Sequence, residues 1–417
     1  MVSVHSISAC ATDTVTALHA LEQEAAALDV AADFLCVFYD EIHDDQLIHD
    51  FLAARFPGVP VLGGTSYRGT MTDKGMSGDA SISIFLIADP DGEYGVGLVE
   101  FAGDAASAAE RALRLALEQA GCVGELPALI WLYQAPGHEE EVIAGLHRIV
   151  GDRCPIIGGT AADRGIAGRW RQLGPEGYMK NGVAVGALFP SGEVSIAFQG
   201  GYEPTGQSGV ITQIANADLT DPARTSEVGA ESAGTSNYGR AILTIDGEPA
   251  AAVYNHWLGG ALDHKQIGDS LAADTTMCPL GIDAGKIGGI TQYLVIHPNR
   301  LLENGALSTF ANIKEGVRVF SMRGDPERLV ERAGKAAALA VAGLPGGAKN
   351  FAGGLVSYCH GNRLAIGEQK IDQVTMALSE SFAGMPFVGC FTFGEQGQML
   401  GYNTHGNLMI SVVAFGR

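Results

Sequence analysis

The sequence predicts a mixed α/β protein of two domains, in which repeated βαβ-hairpin units form mixed β-sheets with flanking helices. An internal repeat is the basis of this prediction. The apolar run 34–39 (FLCVFY) returns as 128–133 (ALIWLY), and the segment 60–65 (PVLGGT) returns as 155–160 (PIIGGT). An Arg-Gly pair and an alternating apolar run follow in each copy. Because order, spacing and residue chemistry all match, we infer a duplicated unit.

A pair of strands closes each copy. The alternating run 80–87 is typical of a strand, and a turn containing Asp-Gly leads from it to a second run, 94–101. The corresponding runs of the second copy are 182–189 and 194–198. We expect each pair to form an antiparallel hairpin that makes the sheet mixed.

A weaker third copy lies near the C-terminus. It keeps the order of first strand, Pro-x-x-Gly segment and long strand, at 354–358, 386–391 and 408–415. The gap between the first two segments is longer than in the other copies. The order nevertheless predicts the same unit.

Helical patterns separate the first strand from the Pro-x-x-Gly segment in all three copies, at 45–56, 139–150 and 372–382. A strand, a helix and a second strand form a crossover that places two parallel strands in one sheet. Two further amphipathic helices are predicted at 105–120 and 325–343.

The division into domains follows from a change in composition. Residues 218–238 are crowded with Ser, Thr, Gly, Asp and Pro, which predicts a solvated loop of roughly 20 residues. This insertion separates two strand-like runs, 210–214 and 241–245. We therefore predict an N-terminal domain at 1–208 and a C-terminal domain at 209–417.

Composition and charge limit the class of partner. The 417 residues carry 47 acidic and 26 basic side chains, giving a net charge of −21. Such a surface repels nucleic-acid phosphates and anionic lipids, so we expect neither as a partner. No apolar stretch approaches the ~20 residues that would cross a bilayer. The seven scattered cysteines include no CxxC pair, which favours a reducing, cytoplasmic location.

The densest polar cluster lies in two glycine-rich loops beside apolar C-terminal strands. Loops at strand ends are where a rigid sheet presents ligand contacts. A carboxylate there suits an ammonium group, and amides suit a carboxylate. The alternative is a solvated hairpin whose Gly and Asn residues only form turns. The candidate ligand-binding residues are Gly394, Glu395, Gln396, Asn403, His405 and Asn407.

Three other segments are weaker candidates. The paired Gly-Gly-Thr segments could present backbone N–H groups to an anion, or the glycines could simply allow a sharp turn. Tyr358 and Arg363 follow the first strand of the third copy, and Arg363 could bind a carboxylate with its guanidinium. The residues of the paired segments are Gly63, Gly64, Thr65, Gly158, Gly159 and Thr160.

Catalytic and metal-binding patterns are weak. The eleven histidines show no metal-ligand spacing, and a lone histidine is more often a surface residue. His256, beside Trp257, is a candidate axial ligand for haem. No nucleophile–base pattern stands out, so we expect no enzymatic activity. An enzyme using Cys359 or Glu395 is the least favoured alternative.

Taken in order, several short segments resemble the FIST family (F-box and intracellular signal transduction), a sensory domain with N and C parts. Each segment is short, and their order makes the resemblance specific. The matching segments are 60–65, 200–206, 210–212, 245–250, 253–254, 279–282, 322–326 and 391–395.

The resemblance implies a sensory protein that binds a small ligand, amino acids being one class, and signals through a separate partner such as a histidine kinase. Some stand-alone members of the family are haem proteins that respond to nitric oxide. For that alternative, the candidate axial ligands are His256, His360 and His405.

Overall fold

The first repeat consists of six strands and two helices in the computed structural model, which describes residues 1–216 and 238–417. The predicted helix at 45–56 forms, and the Pro-x-x-Gly segment is a strand. The elements are β1 (Ser3–Cys10), α1 (Thr14–Ala26), β2 (Phe34–Tyr39), α2 (Asp45–Arg55), β3 (Val61–Thr65), β4 (Thr70–Thr72), β5 (Gly75–Ser77) and β6 (Ser81–Ala88).

The second repeat has the same order of elements. They are β7 (Glu93–Glu100), α3 (Ala105–Gln119), β8 (Leu129–Gln134), α4 (Glu139–Val150), β9 (Ile156–Thr160), β10 (Gln172–Gly174), β11 (Gly177–Met179) and β12 (Gly182–Phe189).

An extra sheet interrupts the third repeat after its first strand, β13 (Val194–Gly200). We call it the inserted sheet. The predicted insertion at 218–238 lies outside the described residues, apart from position 238. The elements of the inserted part are β14 (Glu203–Ala215), β15 (Tyr238–Ile245), β16 (Glu248–Pro249), α5 (Ala250–Trp257), α6 (Ala272–Thr275), β17 (Leu280–Ile287), β18 (Ile290–Ile296), β19 (Pro298–Leu301), β20 (Leu307–Lys314) and β21 (Arg318–Arg323).

The third repeat then resumes, which confirms the weak C-terminal copy. Its remaining elements are α7 (Pro326–Gly343), β22 (Phe351–Cys359), α8 (His360–Ile366), α9 (Ile371–Ser381), β23 (Phe387–Thr392), β24 (Glu395–Met399), β25 (Tyr402–Gly406) and β26 (Met409–Gly416). The protein is therefore a mixed α/β fold of repeated units, as the sequence predicts.

Aspartates begin four of the described helices. Asp13, Asp44, Asp104 and Asp325 each accept a hydrogen bond from a backbone N–H in the first turn of α1, α2, α3 and α7, at 2.8 to 3.0 Å. Such caps satisfy amides that have no partner inside the helix. Pro326 occupies the first turn of α7, where its missing N–H costs nothing.

The three repeats exchange hairpins in a circle. Each contributes four strands to a six-stranded sheet, and the next repeat along the circle supplies the last two. The hairpin β10–β11 extends the sheet of the first repeat beyond β3, and β24–β25 extends that of the second beyond β9. The hairpin β4–β5 extends that of the third beyond β23. No repeat completes its own sheet.

Two expectations about strand pairing are wrong. The runs 80–87 and 94–101 do not pair, because β7 leaves the first sheet and pairs with β12 of the second. The runs 182–189 and 194–198 do not pair either, because β13 pairs with β26 of the third sheet. Tyr39 and Tyr133 are also not equivalent: Tyr39 lies opposite Thr65, whereas Tyr133 lies opposite Gly159. A shift of one residue turns a side chain to the other face of the sheet.

The faces that the three sheets turn inward form one shared apolar core. Phe38 of the first sheet packs against Trp131 of the second, with ring centroids 6.5 Å apart. Phe85 packs against Phe415 of the third sheet at 5.6 Å. These side chains are buried, as is Leu355 beside them. The core therefore joins all three repeats and leaves their strand ends to form junctions.

The first glycine of each Gly-Gly-Thr segment is a packing requirement. A Cβ atom on Gly63 would lie 1.8 Å from the carbonyl oxygen of Val37, and one on Gly158 would lie 1.9 Å from that of Leu132. Neither distance is possible, so the parallel strand pairs β2–β3 and β8–β9 need glycine here. This supports the structural alternative for these two residues.

The division at residue 209 stays a prediction. Strand β14 runs through that position, and β13, which precedes it, pairs with β26 near the C-terminus. Among the described residues, no helix combines the length and apolar character needed to cross a bilayer.

Candidate functional site

Three backbone hydrogen bonds link the strand ends of the repeats in a ring. The N–H of Phe393 donates to the carbonyl of Thr160 at 3.0 Å, and the N–H of Ala162 donates to Thr65 at 3.2 Å. The N–H of Tyr67 closes the ring by donating to Phe391 at 3.1 Å. The carboxyl ends of all three parallel strand pairs therefore meet at one place.

We number the places where two repeats meet as junctions, the first at Thr65 and the second at Thr160. The second junction joins two of the predicted ligand-binding segments. Glu395 lies opposite Gly159, and Gln396 lies opposite Gly158. The N–H of Thr160 also donates to the carbonyl of Gly394 at 2.9 Å. The structure thus brings the second Gly-Gly-Thr segment against the C-terminal polar segment, which forms the paired strands β24 and β25 rather than the predicted loops.

A group of charged side chains lies at this junction. The Nη2 atom of Arg240, on β15, donates to Glu139 Oε2 at 2.8 Å and to Glu140 Oε2 at 2.7 Å. The Nδ1 atom of His405 lies 3.0 Å from Glu140 Oε1, which also accepts the backbone N–H of Asn312 at 2.7 Å. Residues from α4, β15, β20 and β25 therefore converge.

A polar relay connects these charges to the strand ends. The hydroxyl of Thr160 donates to Glu139 Oε1 at 3.3 Å, and Gln396 Nε2 donates to Thr160 Oγ1 at 3.3 Å. We define the junction cluster as Glu139, Glu140, Thr160, Arg240, Gln396 and His405.

Most of the junction cluster is withdrawn from solvent. The side chains of His405, Glu139 and Arg240 are 1%, 6% and 10% exposed, and that of Glu140 is 25% exposed. Burial by itself would raise the pKa of both glutamates. Attraction to Arg240 and His405 outweighs it and holds the pKa of each below its usual range. Both carboxylates are therefore charged at neutral pH.

Several buried polar atoms at the junction lack a hydrogen-bond partner within the described residues. They are the Nε2 atom of His405, the Oε1 atom of Gln396 and both amide atoms of Gln134, which lies opposite Thr160. Buried polar atoms nearly always have a partner in folded proteins, either protein, water or ligand. The amide atoms of Gln396 and Gln134 are therefore the places at this junction where a small polar molecule, an ion or a water could bind.

Glu395 lies inside the fold rather than facing this cluster's charges. It accepts the Thr392 hydroxyl at 2.7 Å and the Met409 N–H at 3.0 Å, and it shares a hydrogen bond with the Cys359 thiol. Burial raises the pKa of Glu395 and that of Cys359 well above their usual ranges. A raised thiol pKa suppresses the reactive thiolate, so the pair gives no support to a nucleophilic enzyme.

The two predicted asparagines hold backbone in place. Asn403 accepts the N–H of Ile156 and donates to the carbonyl of Cys154, both at 2.9 Å. Asn407 accepts the N–H of His297 at 3.3 Å. These contacts hold β25 and the turn after it against neighbouring segments of the chain.

The remaining predicted residues lie away from the junction cluster. Arg363 pairs with Glu368 at 2.9 Å and lies 4.7 Å above the ring of Phe391. Tyr358 is buried in the core of the third repeat. The first junction is formed by Gly63, Gly64 and Thr65. In it, Thr65 Oγ1 accepts the N–H of Arg171 at 3.0 Å.

The three candidate haem ligands are in different settings. His256 is exposed on α5. The ring of His360 packs 4.8 Å from that of Phe393 and 5.1 Å from that of Tyr67. The Nε2 atom of His405 faces the backbone of Gly394, where an added Cβ would lie 2.4 Å away. The rings of His360 and His405 are thus too crowded for a porphyrin, and these residues do not fit haem as placed.

Sequence reasoning missed Glu139, Glu140 and Arg240. Three consecutive glutamates begin α4, where they interact favourably with the helix dipole, and this is their ordinary interpretation. Arg240 stands at the end of a segment rich in small polar residues, with no pattern around it. The signal that could have found the two glutamates is the run of three acidic residues at 139–141, shortly after the predicted strand at 128–133.

Comparison with known proteins identifies the family of this chain. A model of the FIST N domain matches residues 33–219, and a model of the FIST C domain matches residues 250–398. The chain belongs to the FIST family. FIST domains are sensory domains of signal transduction that bind small ligands. The junction cluster combines Glu139 and Glu140 of the FIST N region with His405, which follows the matched part of the FIST C region.

Other comparisons add less about this FIST protein. No curated protein matches it. Two solved structures of cyanuric acid hydrolases align over its whole length. One, described as an evolutionary innovation by structural concatenation, has 7% identity, a TM-score of 0.34 and full coverage of both chains. The other, from A. caulinodans, has 10% identity, a TM-score of 0.36 and 99% coverage of its own chain. Such low TM-scores support no conclusion about activity.

Proposed function

We propose that this FIST protein is a cytoplasmic sensory module whose small ligand is an amino acid, bound at the junction cluster. The single observation that carries the proposal is the buried pairing of two glutamates with one arginine, beside polar atoms without partners. An amino acid carries an ammonium group and a carboxylate, and the cluster offers a partner for each.

Acceptors exceed donors in this cluster, which favours a ligand with a positive group. Glu139 and Glu140 supply two negative charges, and Arg240 supplies one positive charge. The unpartnered Oε1 atoms of Gln396 and Gln134 are further acceptors within the described residues. An ammonium group could bind among these oxygens while the ligand carboxylate binds the guanidinium of Arg240.

The position of the cluster supports a sensory role. It connects α4 of the second repeat with the inserted sheet through Arg240 and the N–H of Asn312. A ligand that competes for these contacts would change how the inserted sheet is held. Ligand binding can shift such an equilibrium only by its difference in affinity for the two states.

Isothermal titration calorimetry of the purified protein against each common amino acid tests the proposal. We expect one or a few to bind, and Glu140→Gln to weaken binding about tenfold or more, because a charge-assisted hydrogen bond is lost. Glu141→Gln is the matched control, since Glu141 is the next residue and is exposed. No heat from any amino acid, or equal losses in both variants, would contradict the proposal.

We propose that the output passes to a separate protein such as a histidine kinase. The test is autophosphorylation of a purified candidate kinase with this protein added, with and without the amino acid found by calorimetry. A change that needs the amino acid and disappears in Glu140→Gln supports the link. The alternative, a haem sensor of nitric oxide, is tested by the visible spectrum after addition of hemin, where absence of a Soret band excludes it.

A further inference from the structure

The geometry points to a divalent-cation site at Glu139, Glu140 and His405, at which a first-row metal ion takes the place now occupied by the guanidinium of Arg240. This site shares the carboxylates of the proposed amino-acid site but does not depend on that ligand. A cation and an amino acid would compete for the same oxygens.

The three side chains lie near the spacing of metal ligands. One donor atom from each, a carboxylate oxygen from Glu139 and Glu140 and a ring nitrogen from His405, lies within 4.8 Å of the others. Ligand atoms about 2.1 Å from one ion at right angles lie about 3 Å apart. The separation between His405 Nδ1 and Glu140 Oε1 is 3.0 Å. Only small movements would bring these donors to one ion.

A second observation, independent of the acidic pair, points to a bound ion. Gln396 and Gln134 are fully buried, and the Oε1 atom of each lacks a partner within the described residues. Gln396 reaches Glu139 through the Thr160 hydroxyl, and Gln134 lies opposite Thr160 on the neighbouring strand. Amide oxygens are suitable ligands for hard cations.

The donor set indicates the class of metal. Two carboxylates and one imidazole suit Mn²⁺, Fe²⁺ or Zn²⁺ better than Ca²⁺, which prefers oxygen ligands alone. No thiolate belongs to the set. The backbone N–H of Asn312, bound to Glu140 Oε1 at 2.7 Å, would keep that carboxylate oriented.

Arg240 is the competitor for this site. Its Nη2 atom binds one oxygen of each glutamate, so a single nitrogen bridges the two carboxylates. Its Nε atom donates to Asn312 Oδ1 at 3.0 Å, a contact that can persist after the carboxylates are released.

Binding of Mn²⁺ to chelator-treated full-length protein, without any amino acid, tests the inference. Calorimetry gives the affinity, and loss of the free Mn²⁺ signal in electron paramagnetic resonance gives the stoichiometry. We expect one ion per chain, at least about tenfold weaker binding in Glu140→Gln, and unchanged binding in Glu141→Gln. Zn²⁺ is titrated in parallel to identify the preferred ion.

The decisive variant is Arg240→Gln. Removal of the competing guanidinium should tighten Mn²⁺ binding several-fold, and Mn²⁺ should raise the melting temperature of this variant more than that of the unmodified protein. A misfolded variant cannot produce such a gain. Failure of both proteins to bind Mn²⁺ or Zn²⁺ at millimolar concentration overturns the inference, as does equal affinity in Arg240→Gln and the unmodified protein. Amino-acid binding without metal binding would leave the proposed function intact.

Discussion

The Nη2 atom of Arg240 lies 2.8 Å from the Oε2 atom of Glu139, although 101 positions separate the two residues in the chain. Arg240 belongs to the inserted sheet and Glu139 to the first turn of α4 in the second repeat. This contact attaches the inserted sheet to the FIST N region by charge, at a residue that lies between the two matched regions. Loss of this contact should lower the stability of the protein and weaken the coupling between the two regions.

Replacement of Arg240 by alanine should destabilise the protein by about 3 kcal/mol, because two largely buried carboxylates lose their common partner. Urea unfolding followed by circular dichroism measures the change. Arg323→Ala is the control, since Arg323 is 69% exposed and pairs with Glu203 at the surface. That variant should lose less than about 1 kcal/mol. Equal losses of stability in the two variants would contradict the prediction that the buried contact of Arg240 contributes more than a surface ion pair.

Stability should fall in mild acid because of His297. Burial and the neighbouring His360 lower the pKa of His297 from 6.5 to about 3. Below pH 6.5 the unfolded chain therefore binds a proton that the folded chain refuses, and stability is lost as the pH falls from 6.5 towards 3. This residue contributes up to about 1.4 kcal/mol per pH unit in that window.

The variant His297→Gln isolates this contribution. It cannot take up a proton, so its free energy of unfolding should depend less steeply on pH between 6 and 4 than that of the unmodified protein. His256→Gln, at an exposed position, should leave the slope unchanged. Parallel pH profiles for His297→Gln and the unmodified protein would refute the assignment.

Gly63→Ala should disrupt the first sheet. The added Cβ would lie 1.8 Å from the carbonyl oxygen of Val37, and backbone on both strands would have to separate. A loss of at least about 3 kcal/mol, or insoluble protein, is expected. Gly78→Ala is the control, because nothing lies within 4 Å of its added Cβ. Thermal unfolding compares the two, and similar melting temperatures would exclude the close approach.

A fragment of residues 1–208 should not fold cooperatively. The second sheet would lack β24 and β25, and β13 would lack its partner β26. Urea titration monitored by tryptophan fluorescence should give a broad, shallow transition in the fragment and a sharp one in the full chain. A sharp transition in the fragment would show instead that the N-terminal region is an autonomous domain.

The local structure of the repeats could be predicted from the sequence. The run 34–39 and the helix at 139–150 have the predicted bounds, since apolar periodicity and end signals are properties of neighbouring residues. The exchange of hairpins could not be predicted. A hairpin such as β10–β11 carries the same pattern whichever sheet edge it joins, and its partner strand is distant in the chain.

The candidate site could be predicted only in part, for a related reason. Thr160, Gln396 and His405 follow predicted strand ends, so their position on the fold suggested them. Arg240 belongs to the site only through its contacts with Glu139 and Glu140. These contacts form only after segments that are distant in the sequence have packed together. Charge pairs between distant segments leave no periodic trace in a sequence.

The circular exchange of hairpins also affects the rate at which the chain folds. Thr70 pairs with Cys390, which lies 320 positions later in the chain, so the hairpin that contains Thr70 is made well before its partner strand. Pairings between such remote segments make folding slow. Until the partner strand has been made, the edge of the hairpin is unpaired and can bind other chains. We therefore expect folding of the newly made protein to depend on chaperones.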